Sequence, residues 1–142
     1  MTSSEARPND ARLRLALVDD TSDIRALLRR AFERTQRFQV VAEAGNGQEA
    51  VNVSAEHAPD VVLLDISMPV MDGLEALPLV RQACPEATVV MLSAFGATEM
   101  SQRAMALGAD GYIQKGSSMS SLVASVEDLV GRSRPDWSPA SA

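Results

Sequence analysis

Cysteine and histidine each occur once in the 142 residues, and each scarcity removes a class of chemistry. With Cys84 alone no intramolecular disulfide can form, so the chain suits a reducing compartment, the cytoplasm, and Cys84 reads as a small buried hydrophobe. No Cys or His cluster exists to hold zinc. His57, near the end of the second helix of the reading below, takes a structural or surface role rather than one in acid–base chemistry. No apolar run approaches the roughly 20 residues that span a bilayer. Met1 to Arg12 lacks the apolar centre of a signal peptide. A net charge of -6 and a pI near 4.7 argue against unaided nucleic-acid binding, which depends on clustered Lys and Arg. Arg25, Arg29, Arg30, Arg34 and Arg37 do gather, but with the spacing of the polar side of one helix. That side is a solvated face, with a partner-docking face as the alternative.

What remains is a chain of one-domain size with 46% hydrophobic and 23% charged residues, the balance of a globular protein. Short apolar runs alternate with amphipathic stretches five times, the pattern of an α/β fold with a parallel sheet. The strands are Leu13 to Val18, Gln39 to Ala44, Val61 to Leu64, Thr88 to Leu92 and Gly111 to Gln114. The third and fourth are apolar on both faces, as central strands must be. Ile24, Leu27, Leu28, Ala31 and Phe32 recur with helical period, and Thr21 or Ser22 can cap that helix. Asn46 with Glu49 starts a second helix, Gly73 a third that runs to about Cys84, Thr98 a fourth that ends at Gly108. Leu122, Val123, Val126, Leu129 and Val130 mark a fifth. Residues 1–12 read as a flexible N-terminus, 13–130 as the domain, and 131–142, rich in Gly, Pro and Ser, as a linker or loose tail. Trp137 within that tail either packs back on the domain or marks a continuation of the chain.

The chemistry gathers at strand ends. The run Leu63-Leu64-Asp65-Ile66-Ser67-Met68-Pro69-Val70-Met71-Asp72-Gly73 closes an apolar strand on a carboxylate and turns at once. A lone Asp there often only caps a turn. Yet Asp19 and Asp20 follow the first strand, Ser93 the fourth and Lys115 the fifth, all at carboxyl ends, where open parallel sheets bind ligands. Neighbouring strands lie about 4.8 Å apart, so if the first and third are adjacent their carboxylates meet. Crowded carboxylates call for a proton or a cation. Mg²⁺ fits best, because it takes oxygen ligands and prefers one or two carboxylates plus a phosphoryl oxygen. A carboxylate beside Mg²⁺ can attack phosphorus to give an acyl phosphate, with a Lys ammonium and a Ser hydroxyl binding the remaining oxygens.

With Val18-Asp19-Asp20, the run from Leu64 to Gly73, Leu92-Ser93-Ala94 and Gly108-Ala109-Asp110-Gly111-Tyr112-Ile113-Gln114-Lys115, the chain from about Leu13 to Val130 resembles the receiver domain of bacterial two-component response regulators. The resemblance implies a doubly wound five-stranded parallel sheet in the flavodoxin-like order 2-1-3-4-5, with helices on both faces. It implies that Asp65 accepts a phosphoryl group from a histidine kinase or phosphotransfer protein, that Asp19, Asp20, Asp65 and the carbonyl of Ser67 hold Mg²⁺, and that Ser93 and Lys115 bind phosphoryl oxygens. It further implies a switch in which Ser93 moves inward and Tyr112 follows, reshaping the fourth-helix, fifth-strand and fifth-helix surface that meets an output domain, a partner protein or a second copy. Ser67, Ala94 and Phe95 border the site. Receivers often carry Pro after the site lysine in a cis bond; here Gly116 follows, and a trans bond with an unusual glycine backbone angle is expected. Such a Gly resembles receivers joined to a helix-turn-helix output domain. Two alternatives stand beside the receiver: an aspartyl-nucleophile phosphatase using Asp19 or Asp20, and a phosphorylation-independent interaction module on the same fold.

Overall fold

The order of elements follows the alternation in the sequence. The computed structural model describes residues 12–94, 98–116 and 118–137. In it β1 (Leu13–Val18), α1 (Ser22–Arg34), β2 (Phe38–Ala44), α2 (Gly47–His57), β3 (Val61–Asp65), α3 (Gly73–Ala83), β4 (Thr88–Ser93), α4 (Thr98–Ala106), β5 (Gly111–Gln114) and α5 (Met119–Ser133) succeed one another. The expectations for residues 1–11, for Phe95 and for the tail beyond Trp137 lie outside the described residues. The five strands pair in parallel in the order β2-β1-β3-β4-β5, as expected. Because β1 has β2 on one side and β3 on the other, the winding direction reverses there, which opens a crevice at the carboxyl ends of β1 and β3.

The two-residue period of the strands sorts their side chains into two cores. Leu15, Leu17, Val61, Leu63, Val90 and Leu92 pack with Leu28 and Phe32 of α1 and Leu122, Val126 and Val130 of α5. Ala16, Val18, Val62, Leu64, Val89 and Met91 pack on the other face with Ala50 of α2, Leu77 and Val80 of α3, and Ala104 of α4. Every residue of β3 and β4 is buried, as their two-sided apolar sequences require. The register of β2 slips against β1, Leu15 facing Val40 and Ala16 facing Ala42, so Val41 is an extra residue. This bulge exchanges the faces of everything after it. Phe38 and Val40 therefore join the α1/α5 core, while Ala42 and Ala44 join the opposite one.

Several local expectations change. Thr21 occupies the N-cap of α1, but its hydroxyl makes no cap bond and leans instead towards Asp20. Leu27 is 48% exposed, because the contact stripe of α1 centres on Leu28 and Phe32. The basic residues are not one solvated helix side: Arg37 lies beyond α1 and pairs with Glu127 of α5, while Arg25 and Arg29 pair with Glu43 of β2. Arg30 and Arg34 alone of the five stay exposed. Asn46 caps α2 by accepting from the Glu49 N–H at 2.9 Å. Asp72 and Glu75 form a reciprocal capping box at the start of α3. α5 runs through Gly131 to Ser133, three residues the composition assigns to the tail. Beyond it the Arg134 guanidinium donates to the carbonyls of Asp60 and Glu86, and Trp137 packs 6.0 Å from the Phe38 ring at the amino edge of the sheet. Trp137 therefore packs back on the domain.

Candidate functional site

The residues singled out by their place after strands converge at the carboxyl edge. β3 and β4 each run one residue further than the apolar pattern, because Asp65 pairs with Leu92 and Ser93 with Gln114 in the ladder. The two polar residues thus stand on hydrogen-bonded backbone, which fixes them better than a loop would. The ladder is extended by the Lys115 N–H, which donates to the Ser93 carbonyl at 2.6 Å. The Ile66 N–H donates to the Leu92 carbonyl at 3.0 Å, and the Ile66 carbonyl accepts from the Gly73 N–H at 2.8 Å. Ser67 follows, exposed, at the head of the loop that carries Pro69 and Val70.

Asp19, Asp65 and Ser93 are buried at 1%, 4% and 2% exposure, whereas Asp20 is open to solvent. One carboxylate oxygen from each of Asp19, Asp20 and Asp65 falls within 4.8 Å of the others. The Lys115 ammonium bridges two of them, at 2.9 Å from Asp19 Oδ2 and 3.2 Å from Asp65 Oδ1. Asp19 is held on both oxygens, since its Oδ1 accepts the Thr21 N–H at 2.9 Å. Burial pushes the Asp65 carboxyl above the ordinary carboxylate range; the charges of Asp19 and Asp20 push the same way, and Lys115 offsets them only in part. Burial alone would lower the Lys115 ammonium, but hydrogen bonds and charges from Asp19 and Asp65 outweigh it and raise it. Three carboxylates against one ammonium leave an excess of negative charge, and the donor set is entirely oxygen. That is the set a hard divalent cation takes, and the residues fit Mg²⁺.

Tyr112 pairs in register with Met91, two residues before Ser93, so Tyr112 and Ser93 share the sheet face covered by α2, α3 and α4. Tyr112 is half-buried and packs against that core. The Lys115–Gly116 bond is trans, and Gly116 takes φ +112°, the backbone angle expected of the residue that stands where receivers often carry Pro. A Cβ there would meet nothing within 4 Å, so the site does not use the space a larger residue would fill. His57 ends α2.

Two residues of the neighbourhood were read otherwise from the sequence. Arg25, assigned to a polar helix side, donates from Nη1 to the main-chain carbonyl of Asp19 and from Nε to Glu43 Oε1 at 2.9 Å. Glu43 was assigned no role. It is the one charged residue of β2, which is the signal that could have marked it.

The family model of the response regulator receiver domain matches residues 15–127 of the chain. The chemotaxis protein CheY of Halobacterium salinarum is 38% identical over 114 residues, which cover 80% of this chain and 93% of that protein. A protein-glutamate methylesterase/protein-glutamine glutaminase of Rhodospirillum centenum is 46% identical over 107 residues, 74% of this chain but 27% of that protein. The chain thus spans about a quarter of the length of that relative. Among solved structures, the receiver domain of the response regulator NarL from Mycobacterium tuberculosis superposes with a TM-score of 0.78 at 32% identity, covering 84% of this chain and 96% of that one. CheY in a complex of CheX, CheY, BeF₃ and Mg²⁺ from Borrelia burgdorferi superposes at 0.77 with 28% identity, covering 82% and 88%. With its strand order, its acidic edge and these relatives, the chain belongs to the response regulator receiver domain family.

Proposed function

We propose that the domain is switched by phosphorylation of Asp65, and the observation that carries this is the Lys115 ammonium set between Asp19 and Asp65 beside a third carboxylate. Asp65 is the acceptor rather than Asp19 because both Asp19 oxygens are already hydrogen-bonded, to the Thr21 N–H and to Lys115. The same occupancy weighs against a phosphatase with Asp19 as nucleophile. Asp19, Asp20, Asp65 and the Ser67 carbonyl are the residues that would hold Mg²⁺. Bound there, the ion would supply positive charge against the phosphoryl oxygens. An Asp65 oxygen attacks phosphorus as the donor bond breaks, and Lys115 leaves Asp65 Oδ1 to bind a phosphoryl oxygen. Ser93, fixed by the ladder, offers its hydroxyl to another. Its shift reaches Tyr112 across the shared face, and the surface of α4, β5 and α5 changes with it.

In this reading the chain catalyses only its own phosphorylation and dephosphorylation. A sensor histidine kinase or phosphotransfer protein supplies the phosphoryl group. The changed surface engages an output domain, a partner protein or, on phosphorylation, a second copy. The receiver unit runs from residue 13 through the end of α5 at Ser133, with Trp137 packed back on it, and its setting is cytoplasmic. No described helix is long and apolar enough to cross a membrane.

The test is incubation of the chain with acetyl phosphate and Mg²⁺ followed by intact mass and peptide mapping. One phosphoryl group on Asp65 is expected, lost on addition of a chelator beforehand. Retained labelling in Asp65→Ala would overturn the assignment.

A further inference from the structure

We infer that Arg25 is a positioning residue for the metal site, one that sets the direction in which Asp20 leaves Asp19; this rests on the reading of the acidic cluster as a Mg²⁺ site. Every polar atom of Asp19 is held. Its N–H donates to the Ala44 carbonyl at 3.0 Å, and its two carboxylate oxygens accept from Thr21 and Lys115. Its carbonyl accepts from Arg25 Nη1. The Asp19 carbonyl and the Asp20 N–H belong to one planar peptide unit. A guanidinium that fixes that carbonyl fixes the plane from which Asp20 projects. Asp20, exposed and at the solvent side of the cluster, has far less packing of its own to hold it.

The guanidinium is itself anchored. Arg25 Nε donates to Glu43 Oε1, and the other oxygen of Glu43 accepts from Arg29 Nε at 3.0 Å and Nη2 at 2.6 Å. Arg25 and Arg29 are one turn apart on α1, where like charges repel. Glu43 between them turns that repulsion into a three-member network. Burial alone would raise the Glu43 carboxyl, yet the hydrogen bonds and charges of Arg29 and Arg25 hold it below its ordinary value. Glu43 faces α1 only because the bulge at Val41 reverses the end of β2. Planar and fork-shaped, a guanidinium can hold a carbonyl and a carboxylate at once; an ammonium on a flexible stem cannot reproduce both angles.

The sign of the effect on Mg²⁺ separates positioning from charge. Arg25 is a cation beside an acidic site, so by charge alone its removal would tighten Mg²⁺. Positioning demands the opposite. Calorimetric titration of Mg²⁺ into the full chain is expected to give a dissociation constant about tenfold weaker in Arg25→Ala, in the range seen when groups orienting metal ligands are lost. Arg25→Lys, which keeps the charge but not the fork, is expected to be weakened as well, by a smaller factor than Arg25→Ala. A lowered melting temperature with unchanged or tighter Mg²⁺ binding in Arg25→Ala would overturn the inference; should that variant not fold, unchanged binding in Arg25→Lys overturns it. Asp20→Asn and Asp65→Asn are the control. If they bind Mg²⁺ as the parent does, the acidic cluster is not the metal site and the underlying reading fails, whatever Arg25 does.

Discussion

Gly73→Ala is expected to damage stability and phosphoryl transfer together. A Cβ on Gly73 would lie 2.2 Å from the Asp65 carbonyl oxygen and 2.9 Å from both the Asp65 carbonyl carbon and Ile66 Cα. Non-bonded carbon and oxygen approach to about 3.3 Å, so the two segments must part by about 1 Å. All three atoms are main chain, and no side chain can swing aside. The Gly73 N–H also donates to the Ile66 carbonyl at 2.8 Å, a bond the same displacement stretches. Overpacking of this kind costs about 1–3 kcal/mol. For a domain of this size that lowers the melting midpoint by roughly 3–10 °C. The displaced residue is Asp65 itself, and a misplacement of about 1 Å can cost about 100-fold in rate. Urea unfolding followed by circular dichroism gives the first quantity, and the initial rate of acetyl phosphate labelling gives the second. Parental values of both would refute the packing argument, and a stability loss with parental labelling would refute the claim that the start of α3 holds Asp65 in place.

Three further outcomes follow from the same geometry. With chelator present, Asp65→Asn should be more stable than the parent by on the order of 1 kcal/mol at neutral pH, since it removes one of three crowded carboxylates. Because the folded-state pKa of Asp65 is raised, the parent's relative stability is full below the unfolded value near 3.8 and falls as pH rises through the raised one. The variant should lack that decline, and thermal melts across the acid range would expose its presence or absence. Gly131→Ala should stabilise by about 0.5–1 kcal/mol, because Gly131 is helical in α5 and a Cβ there meets nothing within 4 Å; a drop in melting temperature would contradict this. Trp137→Ala should cost about 1–2 kcal/mol through lost packing on Phe38, and an unchanged urea midpoint would mean that the segment after α5 is only loosely seated.

The sequence reveals the parts of the site that sit at strand ends, because a strand's apolar period stops abruptly at Asp19, Asp65 and Ser93 and leaves a polar residue where the ladder closes. The cap at Asn46 is equally legible, since its own side chain accepts the Glu49 N–H three residues on, as Asp72 accepts that of Glu75. What stays hidden depends on contacts between elements distant in the chain. Arg25 and Arg29 carry a helical polar spacing that fits open solvent as well as it fits Glu43, and only the placement of β2 against α1 decides between them. Leu27 meets the helical period as well as Leu28 does, yet the axis of α1 turns it outward. The stretch Phe38–Ala44 contains no Gly or Pro to announce that Val41 is unpaired.

Changes of length are ordinarily harmless in loops and disruptive in strands only through lost pairing. Here the bulge of one edge strand carries information of another kind. Removing Val41 would restore unbroken alternation and leave Glu43 on α1, whereas keeping Val41 but pairing it with Ala16, with no bulge, would send Glu43 away from α1 and turn Ala42 and Ala44 towards it. The two arginines would then face each other without their shared anion. A relative of the same length that pairs residues 38–44 without the bulge can therefore match it at Asp19, Asp20, Asp65, Ser93 and Lys115 and still support its acids by different means. The phase at the end of β2 is set by whether Val41 bulges out or pairs, and that choice decides what stands behind the carboxylates.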